Sequence, residues 1–168
     1  ADASDARARV NDWLDEIADT AAGKTLIRLF AAHSLLNTLI SGLAEGSRYL
    51  WELVRADPQR LVSLLEAEPE RRFEEILADA RAAVAAAQDE PEVMHLLRRM
   101  KAEAALLIAL ADIGKVWPLT RVIERQTALA DAAVGAAVDH LFADAKRRGK
   151  LKGASAHPAQ GSGYTVLA

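Results

Sequence analysis

The stretch "AALLIALADIGKVWP", residues 104–118, decides the fold. Eight apolar residues follow one another from Ala104 to Ala111, so a helix through them has no polar face. A helix that is apolar all round is one enclosed by other helices. Fully burying Leu106, Leu107, Ile108 and Leu110 stabilises the fold by roughly 1.5–3 kcal/mol each. The run is well short of the ~20 residues that span a bilayer. Asp112 interrupts the apolar surface and needs a partner if it is buried. Gly114 marks the helix end, and Pro118 stands just before the next helix. The stretch predicts the central helix of an all-α assembly.

Working outward, Ser4 is placed to N-cap a first helix through Val10, Trp13, Leu14 and Ile17, with Gly23 as its end. A second helix carries one apolar stripe from Leu26 and Ile27 through Phe30, Leu35, Leu36, Leu39 and Ile40, and stops between Gly42 and Gly46. Ser47 caps a short helix holding Tyr49, Leu50, Trp51, Leu53 and Val54. Asp57-Pro58 opens the next, with Pro at the first helical position. Pro69 restarts the chain through Phe73, Ile76 and Leu77 to about Gln88, Pro91 opens the long central helix, and Leu119 to about Lys146 reads as the last one. No internal repeat at solenoid spacing is present. Residues 149–162, "GKLKGASAHPAQGS", read as a linker. Tyr164 to Leu167 is the one convincing β-run, and a strand needs a neighbour for its backbone hydrogen bonds. The expected organisation is a helical region over 1–148, a linker over 149–162, and over 163–168 the first strand of a truncated domain. The fold class is all-α, an irregular multi-helix bundle.

The chain has 168 residues, 51% hydrophobic and 27% charged, which suits one globular domain. Aromatics are only 5%, so Leu, Ile, Val and Ala fill the core. A net charge of −3 gives no overall drive toward nucleic acid or anionic lipid. There is no Cys, which excludes disulfides and thiolate ligands and fits a reducing cytosol. The opening "ADASDARARV" has no apolar signal region. These features predict a soluble cytoplasmic protein without nucleic-acid or membrane partners.

Four constellations invite a chemical reading. "AAGKTL" (Ala21 to Leu26) ends like a phosphate-binding loop, but position 18 is Ala where the motif needs Gly, and no strand precedes it. A helix C-cap at Gly23 is the simpler account. Glu92 and His95 form one Glu-x-x-His pair, whereas di-iron bundles need two such pairs and two further Glu. Glu92 fits better as a first-turn acid at a helix N-terminus. "KRRGKLK" (Lys146 to Lys152) is basic but lacks interleaved aromatics, and cations favour a helix C-terminus. Arg98, Arg99, Lys101, Glu103 and Asp112 frame the apolar helix, with Arg98, Lys101, Ile108 and Asp112 close to one stripe. No Ser/His/Asp set, paired-carboxylate site or Gly-rich phosphate loop emerges. No catalytic, nucleotide-binding or metal residue is assigned.

The segment "LLRRMKAEAALLIALADIGKVWPLTRVIERQTALADAAVGAAV" (Leu96 to Val138) resembles the region preceding the first catalytic domain of the bifunctional glutamine synthetase adenylyltransferase/adenylyl-removing enzymes, in their alphaproteobacterial form. "GSRYLWELVRADPQRLVSLLE" (Gly46 to Glu66) and "GSGYTVLA" (Gly161 to Ala168) add to the resemblance, which runs from about Gly42 onward. This chain departs from the family at Arg48, where Pro is frequent, and at Lys115, where Gly is frequent. Both positions lie at helix boundaries.

The resemblance implies two nucleotidyltransferase-like domains in the whole enzyme. One removes AMP from a tyrosine of glutamine synthetase by phosphorolysis, yielding ADP; the other attaches AMP from ATP. Both use Mg²⁺, and PII signalling protein and glutamine set the balance. The metal-holding carboxylates belong to a Gly-x-Glu-Leu-Asn…Ser-Asp-x-Asp motif that follows this region, so none falls on a residue here. The expected role is a non-catalytic helical portion of the adenylyl-removing half, binding neither Mg²⁺ nor ATP/ADP itself. The alternative is a self-standing helical protein-interaction module without catalysis.

Overall fold

Capping residues and prolines divide the described residues into eight helices. The computed structural model describes residues 3–150. Most of the expected linker (149–162) and all of the expected strand (163–168) lie outside the described residues. The helices are α1 (Ala3–Glu16), α2 (Ala21–Ala32), α3 (Ser34–Gly46), α4 (Arg48–Ala56), α5 (Pro58–Glu66), α6 (Pro69–Ala86), α7 (Glu90–Ile113) and α8 (Leu119–Arg147). Among the described residues there is no strand, and no single helix is long and apolar enough to cross a membrane.

Several starts have a local cause. The Ser47 hydroxyl accepts from the Leu50 N–H at 3.3 Å, and the Asp57 carboxylate from the Arg60 N–H at 3.0 Å. Asp89 accepts from Glu92 N–H at 2.9 Å, while the Glu92 carboxylate reaches back to the Gln88 N–H at 2.8 Å. Such caps satisfy donors that have no partner inside the helix. Pro58, Pro69 and Pro91 sit in first turns, where a missing N–H costs nothing.

Two boundaries differ from the sequence reading, and α1 begins one residue before Ser4. Gly23 ends no helix: it is buried in the first turn of α2, whose N-cap is Thr20. A Cβ on Gly23 would lie 1.9 Å from the Ile17 carbonyl oxygen, so the residue is glycine because two backbones meet there. The single stripe expected from Leu26 to Ile40 is two helices, with the chain turning by 116° at an extended His33. The bend brings Leu26 of α2 and Ile40 of α3 into one core, α2 packing on α5 and α3 on α1. Hydrophobic periodicity runs through such a break unmarked, because no Pro or Gly stands at it.

α7 is the centre, in contact with α3, α4, α6 and α8. Ala104, Leu106, Leu107, Ile108, Leu110 and Ala111 are all buried. Trp13 and Trp51 meet edge to face at 5.4 Å, joining α1 to α4. The end of α7 closes in a Schellman turn: the Val116 N–H donates to Ala111 O at 2.8 Å and the Lys115 N–H to Asp112 O at 3.0 Å. That turn puts Lys115 at φ 58°, a left-handed conformation that favours glycine. The family departure at Lys115 therefore falls where Gly is physically preferred, and that at Arg48 on the first position of α4, where Pro is. Beyond the turn Trp117 is buried edge to face on Phe73, centroids 6.3 Å apart.

Candidate functional site: two apolar grooves beside the central helix

The last turns of α7 are enclosed only in part, and a groove opens on either side of them. The first lies between α4, α7 and α8 and has a volume of about 680 Å³. Ala105, Ile108 and Ala109 line it from α7, Leu129, Ala130, Ala133 and Val134 from α8, and Tyr49 and Leu50 from α4. The second, about 510 Å³, lies between α3, α5 and the end of α7, with Leu35, Leu39, Leu64, Leu65, Leu110 and Val116 in its walls. Ile113 lines both. Their rims hold much of the exposed apolar surface: Leu35 is 80% exposed, Val116 59%, Tyr49 48%, and Ile113 and Val134 42% each. Contiguous exposed apolar surface marks places that bury against something else.

The first groove is polar only toward its ends. Lys101 stands near one end of its α7 wall and Asp112 near the other, with Ser47 and Gln126 at the margin. Asp112 is half-buried, and neither it nor Lys101 makes an ion pair or side-chain hydrogen bond among the described residues. The sequence stripe through Lys101, Ile108 and Asp112 is thus realised as a groove wall, while Arg98 is not part of it. The groove itself was not read from the sequence. Its signal is residue size: Ala105 and Ala109, four apart on α7, face Ala130 and Ala133 on α8, and small side chains leave the space open.

The opposite flank of α8 is built differently. Glu70 of α6 accepts from Arg121 at 2.7 and 3.1 Å and also pairs with Arg125. Arg125 further pairs with Glu74 at 2.5 Å and lies 4.9 Å over the Phe73 ring. Arg72 bonds Glu103 of α7 and reaches Glu75 at 3.3 Å. Hydrogen bonds from Arg121, with Arg125 adding to them against partial burial, hold the Glu70 carboxyl below the usual carboxylate range. Burial would lower Arg72, but its bond to Glu103 leaves it raised.

The other sequence candidates resolve into structural parts. Gly23-Lys24-Thr25 is helical, so no loop cradles a phosphate there. Glu92 is engaged in the α7 cap and His95 is exposed beside it. Arg147 and Arg148 pair with Asp144 at 3.3 and 2.7 Å at the end of α8, which accounts for those two members of the basic cluster. Among the described residues no three His, Asp or Glu side chains converge as metal ligands would.

The arrangement defines a helical module built on one enclosed helix, with apolar walls left open beside it. The family model for glutamate-ammonia ligase adenylyltransferase matches residues 36–168. The chain is 48% identical over 161 residues to the bifunctional glutamine synthetase adenylyltransferase/adenylyl-removing enzyme of Bradyrhizobium diazoefficiens, covering 95% of this chain and 16% of that one. It is 45% identical over 166 residues to the enzyme of that name from Rhodopseudomonas palustris strain BisB5, covering 98% and 17%. No solved structure matches. The chain belongs to the glutamate-ammonia ligase adenylyltransferase family. It spans about a sixth of the length of these relatives.

Proposed function

We propose that this chain is the non-catalytic helical portion of the adenylyl-removing half of a bifunctional enzyme that adenylylates and deadenylylates glutamine synthetase in nitrogen regulation. Its work is to support and orient the nucleotidyltransferase domain that follows it. The observation that carries this reading is a buried helical core with open apolar walls, in a chain matching a sixth of its relatives' length. Glutamine synthetase is the substrate of the whole enzyme in this reading and PII signalling protein its regulator, in the cytoplasm. Mg²⁺ and ATP/ADP serve the whole enzyme, but the donor sets among the described residues do not fit them: the Gly-Lys-Thr segment is helical and no three His, Asp or Glu side chains converge.

Phosphorolysis of an adenylylated tyrosine needs a metal to neutralise the transferring phosphoryl group and donors around it. The chain alone, given adenylylated glutamine synthetase, phosphate and Mg²⁺, is expected to release no ADP above the blank. Placed in the Bradyrhizobium relative instead of its matching segment, it is expected to sustain ADP release that deletion of that segment abolishes. ADP release by the isolated chain, lost on mutating residues within 1–168, would place a catalytic site in what is read as a scaffold. A deletion form as active as the hybrid would remove the supporting role.

A further inference from the structure

We propose that the groove between α4, α7 and α8 seats a three-turn amphipathic helix, supplied by the part of the family's polypeptide that lies outside these 168 residues. An acidic side chain of that helix meets Lys101 and a basic one meets Asp112. This inference rests on the supporting role and deepens it by naming the contact.

Three observations carry it. Lys101 and Asp112 are eleven positions apart on one face of α7, which is about three turns and ~16 Å of helix. Between them the floor is apolar, Ile108 with Ala105 and Ala109, and the α8 wall matches it. A helix laid in such a groove is read as apolar anchors spaced three and four apart, with charges at its ends fixing direction. Asp112 is half-buried and has no side-chain partner among the described residues, which leaves its carboxylate free to meet a cation at that end of the groove.

The other occupants fit less well. Residues 151–168, this chain's own C-terminal segment, contain no Asp or Glu and a single Lys, Lys152, so they answer Asp112 at most and leave Lys101 without an acidic side chain. In a symmetric pair whose two-fold axis passes through the groove, the concave surface would face itself and the space would stay unfilled. A sixth of the relatives' length is matched here, which leaves about five-sixths of such a polypeptide to supply a convex helix.

The chain has no cysteine, so single thiols report on the groove directly. Val134→Cys and Tyr49→Cys sit on its rim, and Arg81→Cys on an exposed part of α6 is the reference. Alkylation by iodoacetamide is followed by peptide mass in the isolated chain and in the hybrid with the Bradyrhizobium relative. Both rim thiols are expected to react at least about tenfold more slowly in the hybrid, since a docked segment must open before they react. The reference thiol is expected to keep its rate. Combining Lys101→Glu with Asp112→Lys is expected to return the rim thiols of the hybrid toward their isolated rates.

Equal rim rates in both proteins overturn the inference; if hybrid turnover still depends on this segment, the supporting role stands. Occlusion that survives the charge reversal overturns the charge-matched helix. Slow reaction in the isolated chain that speeds on dilution assigns the groove to a second copy. Slow reaction relieved by removing residues 151–168 assigns it to the chain's own end. Either of those also overturns the proposal.

Discussion

Gly23→Ala sets two measured tendencies against each other, and the geometry decides between them. Alanine inside a helix is favoured over glycine by up to about 1 kcal/mol. At Gly23, however, the new Cβ would stand 1.9 Å from the Ile17 carbonyl oxygen and 2.6 Å from its carbon, where real Cβ atoms are not found closer than 3.0 Å. That carbonyl is held in place, accepting the Thr20 N–H at 2.9 Å and the Thr20 hydroxyl at 2.7 Å. Relief requires the α1–α2 connection to move, at an overpacking cost of about 1–3 kcal/mol, and strains hydrogen bonds each contributing about 1 kcal/mol. The net expectation is a loss of ~1–3 kcal/mol, which lowers the melting temperature by about 3–10 °C for a chain of this size. Gly135→Ala, in mid-α8 with nothing within 4 Å of its Cβ, is the matched control. It is expected to raise stability by about 0.5–1 kcal/mol. Thermal unfolding followed by far-ultraviolet circular dichroism measures both. A Gly23→Ala chain as stable as the parent, alongside a stabilised Gly135→Ala chain, would refute the close-approach account of "AAGKTL".

Lys115→Gly removes a left-handed non-glycine residue and is expected to stabilise by about 0.5–1 kcal/mol after the entropy of the freer unfolded chain is set against it, read by denaturant titration. Leu107→Asp puts a carboxylate into the buried face of α7 and is expected to unfold the chain, several kcal/mol being a large part of a typical total of ~5–15 kcal/mol; an unchanged melting temperature would show α7 is not central. Because the Glu70 carboxyl is held below its ordinary range of about 4.5, its ion pairs stabilise the fold above that value and are lost as pH falls through the lower folded value. Glu70→Gln is therefore expected to flatten the acid side of the stability–pH profile, and an unaltered acid limb would argue that the network is energetically idle.

The apolar run from Ala104 to Ala111 was legible as the centre of an all-α fold because no amphipathic alternative exists for it. Pro58, Pro69 and Pro91, with Ser47 and Asp57, marked helix starts because their effects are local. Gly23 was misread for the converse reason: glycine serves a helix end and a close backbone approach alike, and only the position of the Ile17 carbonyl tells them apart. The His33 break left no trace, since tertiary packing and not local chemistry bends the chain there. The Lys101–Asp112 stripe could be drawn from spacing. That it borders an open groove depends on where α4 and α8 settle, which one sequence does not state.

The two flanks of α8 bear on why the central helix is apolar on every side. Toward α6, α8 presents Arg121 and Arg125, and the seam is closed by Glu70 and Glu74. Toward α4 it presents Leu129, Ala130, Ala133 and Val134, and the seam is left open over Ala105, Ile108 and Ala109 of α7. A helix face that meets water permanently carries charged and polar residues, as the first flank does. Apolar surface kept in water forgoes about 25 cal/mol for each Å² that could be buried, so an uncovered groove floor is a standing loss of stability. The run from Ala104 to Ala111 of α7 is apolar toward α3, α4, α6 and α8 because those helices enclose it. It stays apolar in the gap between α4 and α8, where no helix among the described residues covers it, and a further helix laid there would give that face the same reason to be apolar as the others.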